Sequence, residues 1–110
     1  MKLQELTQHY QFHDSLIKAI HWDPNARVLE IFIEFCAWMQ PDYDDKKPEN
    51  HPATLHFTDV SQYKGLTGEI DDFSIVEVRW KDGVLYFFIL DDFHDKDYEL
   101  CIQAKDVKMM

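Results

Sequence analysis

Between Val28 and Met39 the hydrophobicity alternates with a period of two. Leu29, Ile31, Ile33, Phe35 and Ala37 form an unbroken apolar series at the odd positions, while Glu30 and Glu34 fall at even ones. Successive side chains leave a strand on opposite faces, so this spacing predicts a strand with one face in a core. An α-helix would spread the same five residues around its circumference. The even positions also hold Phe32, Cys36 and Trp38. That second face is too apolar to be simply solvated, and a short helix or a second copy of the chain is expected to cover it.

The flanking segments repeat the pattern. Residues 15–22, SLIKAIHW, suit a strand, and Leu16, Ile17 and Ile20 equally suit a helix face. The following Asp23–Ala26 decides for the strand, because Pro24 and Asn25 fit the centre of a type I turn that reverses the chain. Residues 41–52, rich in proline and charge, predict an exposed loop. Residues 53–60 predict a third strand with Leu55 and Phe57 inward, and Gly65 and Gly68 then interrupt the chain. Residues 73–81 pair with 84–90 across Asp82-Gly83, a dipeptide that accepts the positive φ of a two-residue hairpin. Val76, Val78 and Trp80 are the inward residues expected there. After the acidic segment 91–97, Tyr98, Leu100, Ile102 and Ala104 alternate with polar residues in a closing strand, which the tail KDVKMM is a candidate to extend. Residues 2–9, with Leu3 and Leu6 on one side, predict a short N-terminal helix.

The expected fold is therefore α+β and β-dominated: about six strands in an antiparallel meander, on a single domain spanning residues 1–110. A sheet of this size curls into a roll or partial barrel, or covers one face with the N-terminal segment.

The chain carries 21 Asp+Glu against 11 Lys+Arg, a formal net charge of −10. That balance excludes nucleic acid and anionic membranes as the expected partners, because both are held through clustered Lys and Arg. It leaves a basic protein. The N-terminus lacks the apolar run of a secretory signal, and no stretch approaches the roughly 18 apolar residues of a membrane span. A cytoplasmic location follows as the expectation. Cys36 and Cys101 are then expected as reduced, small apolar residues, with a disulfide between neighbouring strands as the alternative.

Phe12-His13-Asp14-Ser15, followed by Ile17 and Ile20, resembles the opening of small uncharacterised bacterial proteins, some of them grouped with the immunity proteins of polymorphic toxin systems. The resemblance continues in outline through Leu55, Phe57 and Val60 and through the closing Ile102–Val107. It implies a small β-rich α+β domain and, for some members, neutralisation of a toxin by direct binding. It carries over no catalytic residue.

His13, Asp14 and Ser15 are also the residue types of a hydrolytic triad. Neighbours on an extended strand point to opposite faces, so three in a row cannot form the required relay. The reading preferred is structural: Asp14 or Ser15 capping backbone N–H groups, and His13 bonding a nearby carbonyl. Two acidic clusters are the candidate partner-binding sites. Asp42, Asp44 and Asp45 flank Tyr43, and Asp91, Asp92, Asp95 and Asp97 surround Phe93. An aromatic anchor inside a charged rim suits a cationic protein, the most specific case being the basic domain of a toxin. The 91–97 cluster lacks the central Gly and final Glu of an EF-hand loop. His9 and His13 have one-turn spacing but no third metal ligand of known position. Glu30 and Glu34 would lie about 13 Å apart on a strand, too far for a shared proton. The sequence thus predicts a non-catalytic, cofactor-free protein-binding domain, with a second copy of the chain as a further candidate partner. The alternative is a small-ligand or metal-binding domain that uses His13 and Asp14 with the 91–97 carboxylates.

Overall fold

The computed structural model describes residues 1–36, 40 and 50–110. One short helix, α1 (Leu3–His9), precedes six strands: β1 (Leu16–Asp23), β2 (Val28–Cys36), β3 (Asn50–Lys64), β4 (Gly68–Lys81), β5 (Val84–Asp91) and β6 (Lys96–Met109). All neighbouring pairs are antiparallel, and the sheet closes on itself in the order β1-β2-β3-β6-β5-β4. The result is a flattened roll, 41 × 33 × 23 Å, with a fold of the expected class. The order refines the meander. Two three-stranded meanders, β1-β2-β3 and β4-β5-β6, are joined along two seams, β3–β6 and β1–β4. No helix among the described residues is long and apolar enough to cross a membrane.

The alternating segments fill the inside of this ring. Leu29, Ile31, Ile33 and Phe35 of β2 are buried, as are Leu85, Phe87 and Ile89 of β5 and Leu100 and Ile102 of β6. Leu3 and Leu6 of α1 bury against them, and the N-terminal ammonium reaches the Val107 carbonyl at 2.9 Å and Asp106 at 3.0 Å. Removing these apolar side chains from water is the dominant favourable contribution to folding.

Three expectations need correction. Val76 is 45% exposed, and Ile75 takes the core position instead. Ile75 pairs with Ile89 and Glu77 with Phe88, so Val76 is the extra residue of a β-bulge that shifts the alternation by one. Val78 and Trp80, beyond the bulge, do pack against the core, half-buried. Secondly, residues 50–52, expected in a loop, belong to β3, opposite Cys36, Phe35 and Glu34. Thirdly, β4 begins at Gly68, well before Phe73. Cys36 and Cys101 are not bonded to each other; β3 lies between their strands.

The chain passes from β3 to β4, on opposite sides of the ring, through Gly65, Leu66 and Thr67. Gly65 has φ +152°, and a Cβ there would sit 2.5 Å from Leu100 Cδ2 and 2.8 Å from the Tyr63 hydroxyl. The Tyr63 hydroxyl donates to the Leu66 carbonyl at 2.5 Å. Burial pushes the Tyr63 phenol well above its ordinary range, so that donor stays protonated. This crossing falls at the same end of the roll as the turns at 24–27 and 92–95.

Candidate functional site

The site is built around an irregularity in β4. Along the β1–β4 seam, Ile17 pairs with Phe73 but Ala19 pairs with Glu69. Lys18 alone therefore faces Ile70, Asp71 and Asp72, which are thrown out of the ladder. Asp72 adopts φ +55°, in the left-handed region that Asp tolerates better than most residues, and its carboxylate meets Lys18 Nζ at 2.5 Å. Glu34 lies 3.7 Å from the same ammonium. The hydrogen bond to Asp72 raises the Lys18 pKa above its ordinary value, against the opposing effect of burial.

The displaced segment forms one wall of a cleft of about 290 Å³, and the hairpin at the end of β5 forms the other. The cleft is lined by half-buried Leu66, Ile70, Phe73 and Tyr98, and by Glu69, Asp71, Asp91 and His94. The Phe73 and Tyr98 rings stack at 5.4 Å between centroids with their planes 6° apart. Glu69 and Asp71 are exposed and form no ion pair among the described residues.

The acidic residues of the second wall divide into different tasks. Asp91 is 5% exposed. Its Oδ1 accepts the His94 backbone N–H at 3.2 Å, and its Oδ2 faces His94 Nδ1 at 2.6 Å. Burial pushes the Asp91 carboxyl up, but the hydrogen bonds from His94 and from the Phe93 N–H outweigh it and hold the pKa below the usual value. Asp91 is thus a turn cap that also lines the cleft. Asp92 accepts the Ser74 hydroxyl at 2.8 Å. Asp95, at φ +52°, closes the turn in the left-handed region. Asp97 is an exposed strand residue opposite Leu90. Phe93, at the tip, is 89% exposed, and the His94 ring meets it edge-on at 5.0 Å. Asp42, Tyr43, Asp44 and Asp45 lie outside the described residues.

His13, Asp14 and Ser15 sit elsewhere, at the corner that feeds β1. Phe12 is buried against Phe35 and Phe87. Ser15 is fully buried, and its hydroxyl accepts the Cys36 N–H at 2.9 Å. Its backbone carbonyl accepts the Ile75 N–H, and the Asp14 N–H donates to the Ile75 carbonyl. Asp14 makes the corner at φ +68°. His13 Nδ1 lies 2.9 Å from the Val76 carbonyl, and Nε2 lies 3.4 Å from Asp14. The Ser15 hydroxyl is thus held inside the roll, while the half-exposed His13 ring lines a separate depression with Tyr10, Gln11 and Glu77. The motif does not join the 91–97 carboxylates. Helix α1 ends at His9, so His9 and His13 do not share a helical face. Among the described residues, no three His, Cys, Asp or Glu side chains are grouped to hold a metal ion.

Glu69, Ile70 and the Phe73–Tyr98 stack were not picked out by reading the sequence. Their signal was faint: Gly68 and the Asp71-Asp72 pair mark an interruption, but nothing local says that it faces the 91–97 hairpin. No family model matches the chain, and no curated protein or solved structure matches it.

Proposed function

We propose that this chain is a non-catalytic, acidic protein-binding domain that receives a basic protein at the end of the roll carrying the displaced segment Ile70–Asp72 of β4 and the β5–β6 hairpin. The observation that carries this reading is an apolar-floored cleft lined by two carboxylates, Glu69 and Asp71, that form no ion pair among the described residues, with the exposed Phe93 at the tip of the hairpin whose Asp91 and His94 form its other wall. Burying an aromatic at the centre of a contact, with charge at its rim, is the usual layout of an energetic hot spot. The net charge of −10 adds long-range attraction toward a cationic surface. The most specific form is immunity: occlusion of the basic, nucleic-acid-binding cleft of a toxin domain.

The test is co-expression with the toxin domain encoded beside this gene. Rescue of growth and a stable purified complex are the expected results, and failure of both by a folded protein overturns immunity. Kinetics test the acidic-docking part. The association rate with the basic partner should fall steeply as salt rises, while an insensitive rate contradicts electrostatic docking. Phe93→Ala should weaken binding at least about tenfold, the loss of roughly 1.4 kcal/mol.

A further inference from the structure

We infer that the cleft between the displaced segment Ile70–Asp72 of β4 and the β5–β6 hairpin is a receptor for one arginine side chain of the partner, a specificity that rests on the basic-partner reading above. Three observations converge. The floor is apolar and partly flat: Leu66, Ile70 and the stacked Phe73–Tyr98 pair are only half-buried, so part of each faces solvent. The wall carries two exposed carboxylates, Glu69 and Asp71, that no cation of the described chain neutralises. The neighbouring charges are already engaged, Asp72 with Lys18 and Asp91 with His94. The two available acids are therefore those on the displaced segment, beside the apolar floor.

This combination favours a guanidinium over an ammonium. A guanidinium is planar, weakly hydrated along its faces and able to lie on an aromatic ring while its edge donates to carboxylates. A lysine ammonium is a compact, strongly hydrated point charge. It gains from Glu69 and Asp71 but loses water against the floor without a matching return. The methylene stem of an arginine would cover Leu66 and Ile70, as such stems commonly cover apolar surface.

The experiment uses the whole chain and two blocked tripeptides, Gly-Arg-Gly and Gly-Lys-Gly, titrated into isotopically labelled protein and followed by NMR. The arginine peptide should shift the amides of Ile70, Asp71 and Phe73 and the ring signals of Tyr98, and bind at least about fivefold more tightly than the lysine peptide. The double variant Glu69→Gln, Asp71→Asn should lose at least about fivefold in arginine affinity with an unchanged fold. Tyr98→Leu should reduce the preference for arginine while keeping attraction to either cation. Equal affinity for both peptides, shifts confined to other surfaces or no saturable shift overturns the proposal. A basic partner protein that binds the double variant undiminished but fails with Phe93→Ala also overturns it, while leaving the broader docking reading intact.

Discussion

Two hairpin turns at one end of the roll are built on the same plan. One runs from Asp23 to Val28 and the other from Asp91 to Lys96, and in each the first and last residues are paired across the ladder. Each opens with an aspartate whose Oδ1 accepts backbone N–H groups within the turn: Asn25 and Ala26 in the first, His94 in the second. Each closes on a left-handed residue, Arg27 at φ +58° and Asp95 at φ +52°. The surroundings differ. Asp23 is exposed, whereas Asp91 is buried and is also bound by the His94 ring. Identical backbone chemistry thus places one carboxylate in water and the other against the Phe73–Tyr98 cleft. A count of acidic residues cannot distinguish a charge available to a partner from a charge that closes a turn.

That contrast predicts a ranking. Asp91→Ala should be the most harmful change, lowering the melting temperature by roughly 8 °C, because it removes a buried cap and leaves donors unmet. A smaller loss than that of Asp23→Ala would break the comparison. The pH dependence should follow the same residue. The Asp91 carboxyl is held below its ordinary 3.8, so its stabilising contribution is present above that pH and lost as pH falls through the folded-state value. Melting curves below pH 4 should therefore be flatter for Asp91→Asn than for the parent chain. Asp23→Ala should cost about 1 kcal/mol, the ordinary effect of losing an exposed cap. Glycine at the closing positions should reverse the sign. Asp95→Gly should stabilise by about 0.5 kcal/mol by relieving the positive φ. Arg27→Gly should gain less, because Arg27 Nε donates to the Val60 carbonyl at 3.3 Å. Phe93→Ala should leave stability within about 0.5 kcal/mol, since the ring is almost wholly in water.

What the sequence revealed was what period and turn chemistry encode locally. The buried series Leu29, Ile31, Ile33 and Phe35 follows directly from alternation, and the Asp82-Gly83 hairpin from residues that accept positive φ. The bulges were not legible. Val76 reads as one more inward valine in an alternating run, and only pairing with β5 shows that it is the extra residue. Ile70–Asp72 fall between the two segments that the alternation marks as strands, and only the β1 seam shows them displaced inside one. The candidate site inherits that limit, because it joins the displaced segment of β4 to a hairpin two strands later. One general signal was available but unread. Of the six non-glycine residues with positive φ among those described, five are aspartates: Asp14, Asp59, Asp72, Asp82 and Asp95. Part of the acidity therefore answers to backbone geometry, because Asp is among the few side chains that tolerate this conformation.

The division of the ring into two meanders also orders events in time. Within each meander, consecutive strands are close in sequence, two residues apart across Asp82-Gly83 and thirteen between Cys36 and Asn50. The seams instead join Leu16 to Ser74 and Leu55 to Met109, and closing such distant contacts costs chain entropy before any burial compensates. The hairpins should thus form first and the ring close last. The displaced segment Ile70–Asp72, which lies on a seam, would then acquire its shape only in that final step.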